Sequence, residues 1–102
     1  MMFAGRTVWE VHQGREGDFI GFCRRGSEIH KRLGATNVAL IAHNTGPGHL
    51  MTYVLTFENG AGYGTFVDAL PSDSEWLTMG QEFITDPPAR IVNHDTGTNL
   101  LS

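Results

Sequence analysis

The chain has little cysteine, little basic charge and no long apolar run. Its 102 residues include one cysteine, Cys23, which excludes an internal disulfide and is typical of the reducing cytoplasm. Seven basic residues against eleven acidic ones give a formal net charge of -4, which argues against a nucleic-acid partner. No apolar stretch has the length of a signal peptide or a transmembrane helix, so we expect a cytoplasmic protein with no membrane partner.

Strand-like and helical patterns alternate along the sequence. Alternation of apolar and polar residues predicts strands over four ranges: 6–13, 36–43, 49–59 and 89–95. Between the first two, apolar side chains recur at helical spacing, with Asp18 as the predicted N-cap and Gly34 as the residue that ends the helix. His30 lies beside this apolar stripe, where we expect a partly buried histidine that is hydrogen-bonded to a neighbour.

A second helical pattern, interrupted once, follows the third strand. It begins near Tyr63, stops at Pro71 and restarts at a capping box formed by Ser72 and Glu75. The predicted order is therefore β-α-β-β-α-β. This order is the α+β ferredoxin-like plan, a four-stranded antiparallel sheet with the helices on one face, and we expect it to form a single domain over residues 1–102.

The stretch HNTGPGH places His43 and His49 on either side of a Gly-Pro-Gly bend. Glycine, proline and asparagine are all turn residues, so a hairpin explains the whole stretch. A zinc site would need at least one further protein ligand, and no residue supplies it at a recognisable spacing. We therefore predict a hairpin, with no metal and no cofactor.

Both faces of the predicted sheet are apolar if His43 pairs with His49. That register places Val38, Leu40, Ala42, Leu50 and Val54 on one face, with Ala39, Ile41, Met51, Tyr53, Leu55 and Phe57 on the other. A half-exposed antiparallel sheet normally alternates between apolar and polar residues. The helices cover one face, so we predict that a second copy covers the other, and that Leu40→Asp abolishes the homodimer.

Residues 53–76, YVLTFENGAGYGTFVDALPSDSEW, combine a strand, a Tyr-Gly helix start and an acidic-Ser break before an aromatic residue. In this the chain resembles the dimeric α/β barrel superfamily, in particular small members of its antibiotic-biosynthesis monooxygenase and NIPSNAP-like branches. The resemblance implies a cofactor-independent oxygenase, cyclase or isomerase that acts on an apolar or aromatic small molecule. It equally admits a non-catalytic homodimer that binds a metabolite or serves in an assembly.

The resemblance also implies a pocket between the sheet and the helices, lined by aromatic and polar side chains. The sequence offers five residues for this lining: Trp9, His12, Tyr53, Tyr63 and Trp76. His94 or His43 would transfer a proton, because histidine titrates near neutral pH. Each of these residues also has a simpler structural role, as a core aromatic or as an exposed histidine. If His12, His43 and His94 are scattered over the surface, the non-catalytic alternative is favoured. Haem chemistry is not expected, because the first strand lacks the asparagine of haem-degrading relatives.

Overall fold

The computed structural model describes residues 1–102 and contains four strands and three α-helices. In chain order these are β1 (Phe3–Val11), α1 (Glu16–Arg32), β2 (Asn37–Ala42), β3 (Leu50–Phe57), α2 (Gly60–Ala69), α3 (Ser74–Thr85) and β4 (Ala89–Thr98). The strands form one antiparallel sheet in the order β2-β3-β1-β4. This confirms the predicted ferredoxin-like fold.

Helix α1 begins earlier than the sequence pattern predicts. Its N-cap is Arg15, and Asp18 lies instead in the first turn, where its carboxylate accepts a hydrogen bond of 2.7 Å from Nε of Arg15. An acidic residue in the first turn still interacts favourably with the helix dipole. The other end is as predicted, because Gly34 follows the last turn with φ of 120°.

The second helical region is broken at Pro71, as the sequence predicts. A short 3-10 turn, Leu70–Ser72, separates α2 from α3. The predicted capping box of Ser72 and Glu75 is wrong by one residue, since Asp73 is the N-cap and accepts a hydrogen bond of 3.0 Å from the backbone N–H of Trp76. A carboxylate at this position can also pair with a cation, and Asp73 does so with Arg32 at 2.7 Å.

The β2–β3 hairpin confirms the turn but corrects the assumed register. Gly46 has φ of 88° and His49 has φ of 69°, so the bend uses two left-handed residues. Ala42 pairs with Met51, and the amide of His43 donates to the carbonyl of Leu50. The register differs by one residue from the pairing of His43 with His49, and one residue moves a whole strand to the opposite face.

The corrected register places the larger apolar residues under the helices. The helix-facing side of β2 and β3 carries Val38, Leu40, Ala42, Met51, Tyr53, Leu55 and Phe57. The opposite side, called here the open face, carries Ala39, Ile41, Leu50, Thr52 and Val54 on the same two strands. Leu40 therefore packs against the core and does not lie at the centre of the open face, so Leu40→Asp does not test the dimer.

The open face is divided into two halves. Its β2–β3 half is largely apolar, whereas its β1–β4 half carries two ion pairs, Arg6 with Asp95 at 2.8 Å and Arg90 with Glu10 at 3.0 Å. Strand β4 continues to Thr98, three residues beyond the predicted strand end. The open face is thus less uniformly apolar than the sequence predicts.

The core lies between the sheet and the helices in two clusters. One joins Val11, Phe19 and Ala89, and the other joins Ala35, Phe57 and Phe66. Only 13 of 102 residues are buried, which is a small core for a chain of this length. None of the three helices combines the length and apolar composition that crossing a bilayer requires.

Candidate functional site

A groove of about 360 Å³ lies between α1 and the β2–β3 half of the sheet. Seven of its nine lining residues are hydrophobic, and the full lining is Ile20, Cys23, Arg24, Ser27, Val38, Leu40, Ala42, Met51 and Tyr53. This volume is within the range of roughly 300–1,000 Å³ that small-molecule sites occupy. The groove is therefore the candidate functional site.

Helical and strand periodicity explain why these residues meet. The four residues from α1 recur at intervals of three and four, so they share one face of the helix. The five residues from β2 and β3 alternate along their strands and share the helix-facing side of the sheet. Ala42 is small and lies at the end of β2, which leaves space between the helix and the edge of the sheet.

Among the lining residues from the sheet, Tyr53 is the one whose side chain is hydrogen-bonded to a helix. Its hydroxyl oxygen lies 2.6 Å from Nδ1 of His30, a hydrogen bond between β3 and α1. Aromatic rings enclose the imidazole of His30: the Trp76 ring centroid is 5.0 Å away and the Phe66 centroid is 5.4 Å away. His30 is only 6% exposed, as the predicted buried and hydrogen-bonded histidine should be.

Burial keeps the titratable groups at this site uncharged. It lowers the pKa of His30 to about 4 and raises the pKa of the Tyr53 hydroxyl above its ordinary value. Burial also raises the pKa of the Cys23 thiol to about 12, so the thiol is a poor nucleophile at neutral pH. The histidine, phenol and thiol are therefore all neutral near pH 7.

Contacts between helix ends position the ring of Trp76. Asp73 holds the first turn of α3 through the Trp76 amide and pairs with Arg32 at the end of α1. These two hydrogen bonds keep the pKa of the Asp73 carboxyl below its ordinary value. Because α1 and α3 are joined at this point, Trp76 packs against His30, two residues before Arg32.

The structure brings together two of the predicted pocket residues, Tyr53 and Trp76, through His30. The other two aromatic residues lie elsewhere in the core. Trp9 packs against Phe19 and Phe83, with ring centroids 5.3 and 5.5 Å away. Tyr63, on α2, packs against Phe3 and Phe57.

The predicted proton-transfer histidines lie on three different parts of the surface. Nδ1 of His94 on β4 is 2.9 Å from the hydroxyl of Thr7. Nε2 of His43 is hydrogen-bonded to the hydroxyl of Thr52 on the open face, and His12 is exposed just beyond β1. None of the three lines the groove, and no three His, Cys, Asp or Glu side chains cluster to form a metal site.

Of the nine lining residues only Tyr53 was predicted as a site residue, and neither Arg24 nor the neighbouring His30 was. The sequence does carry a signal for His30, since a histidine on an apolar helical stripe must find a buried partner. Tyr53 was predicted as a pocket residue, but the contact between the two residues depends on the register of β3. Arg24 and Arg25 are alike in the sequence, and they differ in the structure, where Arg24 lines the groove and Arg25 pairs with Glu82.

Several solved structures have this fold at low sequence identity. A NIPSNAP family protein from Agrobacterium tumefaciens has a TM-score of 0.72 and 12% identity, over 95% of this chain and 90% of its own. A NIPSNAP domain protein from Burkholderia xenovorans has a TM-score of 0.72 and 11% identity, over 95% of this chain and 90% of its own. A protein described as a candidate antibiotic biosynthesis monooxygenase from Chloroflexus aurantiacus has a TM-score of 0.70 and 9% identity, over 98% and 94%.

No protein-family model matches the chain, and no curated protein is significantly similar to it. The solved structures therefore define its fold alone, and they agree with the resemblance seen in residues 53–76. The chain has the ferredoxin-like fold that NIPSNAP and antibiotic biosynthesis monooxygenase-like proteins share.

Proposed function

We propose that the protein is a small-molecule enzyme that acts, without a cofactor, on an apolar or aromatic metabolite bound in the groove between α1 and the sheet. The observation that carries this proposal is a largely apolar lining that includes Tyr53, a residue with a polar hydroxyl. Pockets of this kind bind through apolar contact and orient the ligand through a few polar groups. The reaction would be an oxygenation, a cyclisation or an isomerisation.

These three reaction types share one demand on the protein. Each can proceed through a delocalised substrate anion whose negative charge rests on an oxygen atom. With His30 donating from Nδ1 to the Tyr53 oxygen, the Tyr53 O–H is free to donate to that substrate oxygen. In an apolar groove such a hydrogen bond stabilises the developing charge more than it would in water.

The residue that accepts the substrate proton stays a prediction. His94 and His43 are the candidates from the sequence, and neither lies among the residues that line the groove. One solved structure described as a candidate antibiotic biosynthesis monooxygenase supports including oxygenation among the reactions. A cytoplasmic location, which the single cysteine indicates, is also part of this proposal.

A non-catalytic metabolite-binding protein is the second candidate function. The observation that favours it is the scatter of His12, His43 and His94, which leaves the groove without a group that titrates near neutral pH. Tyr53 and His30 would then act only as an uncharged hydrogen-bonding anchor for the ligand. Both candidate functions require a ligand in the groove, and they differ in whether that ligand is converted.

We propose in addition that the protein is a homodimer through the open face. The molecule measures 38 by 35 Å across and 17 Å in its shortest dimension, so this face can provide the roughly 800 Å² per partner of a standard interface. Its β2–β3 half exposes apolar side chains, among them Ile41, which is 52% exposed. The small number of buried residues in one chain also favours a partner that completes the core.

Ligand binding in the groove is tested with a substitution that fills the groove with a larger side chain. Ala42→Phe places a ring in the groove, whereas Ala61→Phe places the same ring on the exposed surface of α2. We expect 2-naphthol, measured by its fluorescence, to bind the native protein and Ala61→Phe equally, and Ala42→Phe at least about tenfold more weakly. Equal binding to all three proteins would place the ligand outside the groove.

Catalysis is tested on the same bound molecules. A panel of naphthols and aromatic ketones would be incubated with the protein, and oxygen uptake and proton NMR spectra would be followed. Conversion that is reduced in Tyr53→Phe supports the enzyme. Binding without conversion of any member supports the non-catalytic candidate function.

A further inference from the structure

Arg24 differs from every other arginine in the chain. The other five each form an ion pair with a carboxylate: Arg6 with Asp95, Arg15 with Asp18 and Asp86, Arg25 with Glu82, Arg32 with Asp73 and Glu75, and Arg90 with Glu10. Arg24 has no such partner. It is also the one arginine among the residues that line the groove.

The charge of Arg24 is not offset by any other lining residue. The remaining lining residues are apolar or neutral, and burial keeps Cys23 and Tyr53 in their uncharged forms. Glu28, one turn further along α1, is not among the lining residues. The groove thus carries one positive charge in a protein whose formal net charge is -4.

The chemistry of Arg24 and the apolar lining together define the ligand class. A guanidinium binds a carboxylate through two parallel hydrogen bonds, and the interaction is stronger when apolar surface lies nearby. A site with a single cation and few other hydrogen-bond donors suits a ligand with one negative charge better than it suits a phosphate dianion. The sheet wall of Leu40, Met51 and Val38 suits a flat apolar body.

We propose that the groove binds an apolar carboxylic acid, with its carboxylate on Arg24 and its apolar body against β2 and β3. This inference rests on the proposed function, because it names the ligand class of the same groove. The Tyr53 hydroxyl then meets an oxygen on the body of the ligand, and Arg24 fixes the ligand's orientation. Arg24 is a specificity-determining residue for this site.

The test compares a carboxylic acid with its neutral ester. The probes are 2-naphthoate and methyl 2-naphthoate, titrated at pH 7 against native protein, Arg24→Gln, Arg24→Lys and Lys31→Gln. Lys31 is the matched control because it is the other basic residue without an ion pair and is exposed on the same helix. Dissociation constants would be measured at low and at physiological ionic strength.

We expect the native protein to bind the acid about three- to tenfold more tightly than the ester, the range of a single charge interaction at a partly exposed site. Arg24→Gln should lose this preference while its affinity for the ester is unchanged. Arg24→Lys should retain part of the preference, and Lys31→Gln all of it.

Three results would overturn the inference, and they differ in whether the proposed function fails with it. If the ester binds but the acid has no advantage, or if Arg24→Gln keeps the advantage, the carboxylate assignment fails and the groove remains a binding site. If neither probe binds and 2-naphthol does not bind either, the proposed function fails together with the inference.

Discussion

Nδ1 of His30 and the hydroxyl oxygen of Tyr53 lie 2.6 Å apart, and theirs is the only side-chain hydrogen bond between a helix and the sheet. All other contacts across this layer are apolar or aromatic packing. The pair therefore fixes how α1 lies over β3, and so also the shape of the groove between them. Its protonation state links the stability of the fold to pH.

The first prediction is a loss of stability in mild acid. Because the pKa of His30 falls from about 6.5 in the unfolded chain to about 4 in the fold, the unfolded state takes up a proton first. The contribution of neutral His30 to stability is complete above pH 6.5 and is lost as the pH falls towards 4. We expect the free energy of unfolding in urea to decrease by about 2 kcal/mol between pH 7 and pH 5.

His30→Gln and His12→Gln provide the comparison for this prediction. Glutamine does not titrate, so His30→Gln should lower stability at pH 7 but remove most of the decrease between pH 7 and pH 5. His12 is exposed, and its replacement should leave the pH dependence as it is in the native protein. A decrease of unchanged size in His30→Gln would contradict the assignment to His30.

The second prediction concerns the hairpin between β2 and β3. Gly46 has φ of 88°, which an alanine adopts only with strain, whereas Gly48 has an ordinary φ and no atom within 4 Å of where a Cβ would lie. Gly46→Ala should therefore lower the free energy of unfolding by about 1 kcal/mol. Gly48→Ala should leave it unchanged or raise it by a few tenths of a kcal/mol, since it restricts the unfolded chain. Equal effects in thermal unfolding would mean that the turn is formed differently.

The third prediction tests the homodimer. Ile41 on the open face and Leu77 on α3 are both 52% exposed, so a charge placed at either has a similar intrinsic cost for the single chain. In sedimentation equilibrium at micromolar concentration we expect a dimer for the native protein and for Leu77→Asp. Ile41→Asp should be a monomer or should unfold, because a carboxylate would be buried in the interface without a partner. A folded native monomer at this concentration would contradict the proposal.

The sequence predicted the order of the elements well because hydrophobic periodicity is a local property. It also predicted the break at Pro71 and the glycine that ends α1, both of which follow from backbone sterics. The register of β2 on β3 could not be predicted, because it depends on how many residues the turn uses. A register difference of one residue placed Leu40 on the helix-facing side and Ile41 on the open face, the reverse of the prediction.

The site was predicted less completely for the same reason. Tyr53 and Trp76 were recognised as aromatic pocket candidates, but their meeting at His30 depends on the packing of α1 against β3 and α3. The individual role of Arg24 emerges only when the ion pairs of the other arginines are known. Such contacts between distant parts of the chain leave no periodic signal in the sequence.

The division of the open face has a consequence for how two copies can be oriented. The charged half contains two ion pairs that already form within one chain, Arg6 with Asp95 and Arg90 with Glu10. These pairs are stable at the solvated border of an interface, but burying them at its water-free centre would cost free energy. When two such sheets pack face to face, few angles between them bring the two apolar halves together and also leave both charged halves exposed to solvent. In the proposed homodimer, the charged half would thus determine the angle between the two sheets, and the apolar half would provide the buried contact area. The orientation of that dimer would then depend on β1 and β4, and its affinity on β2 and β3.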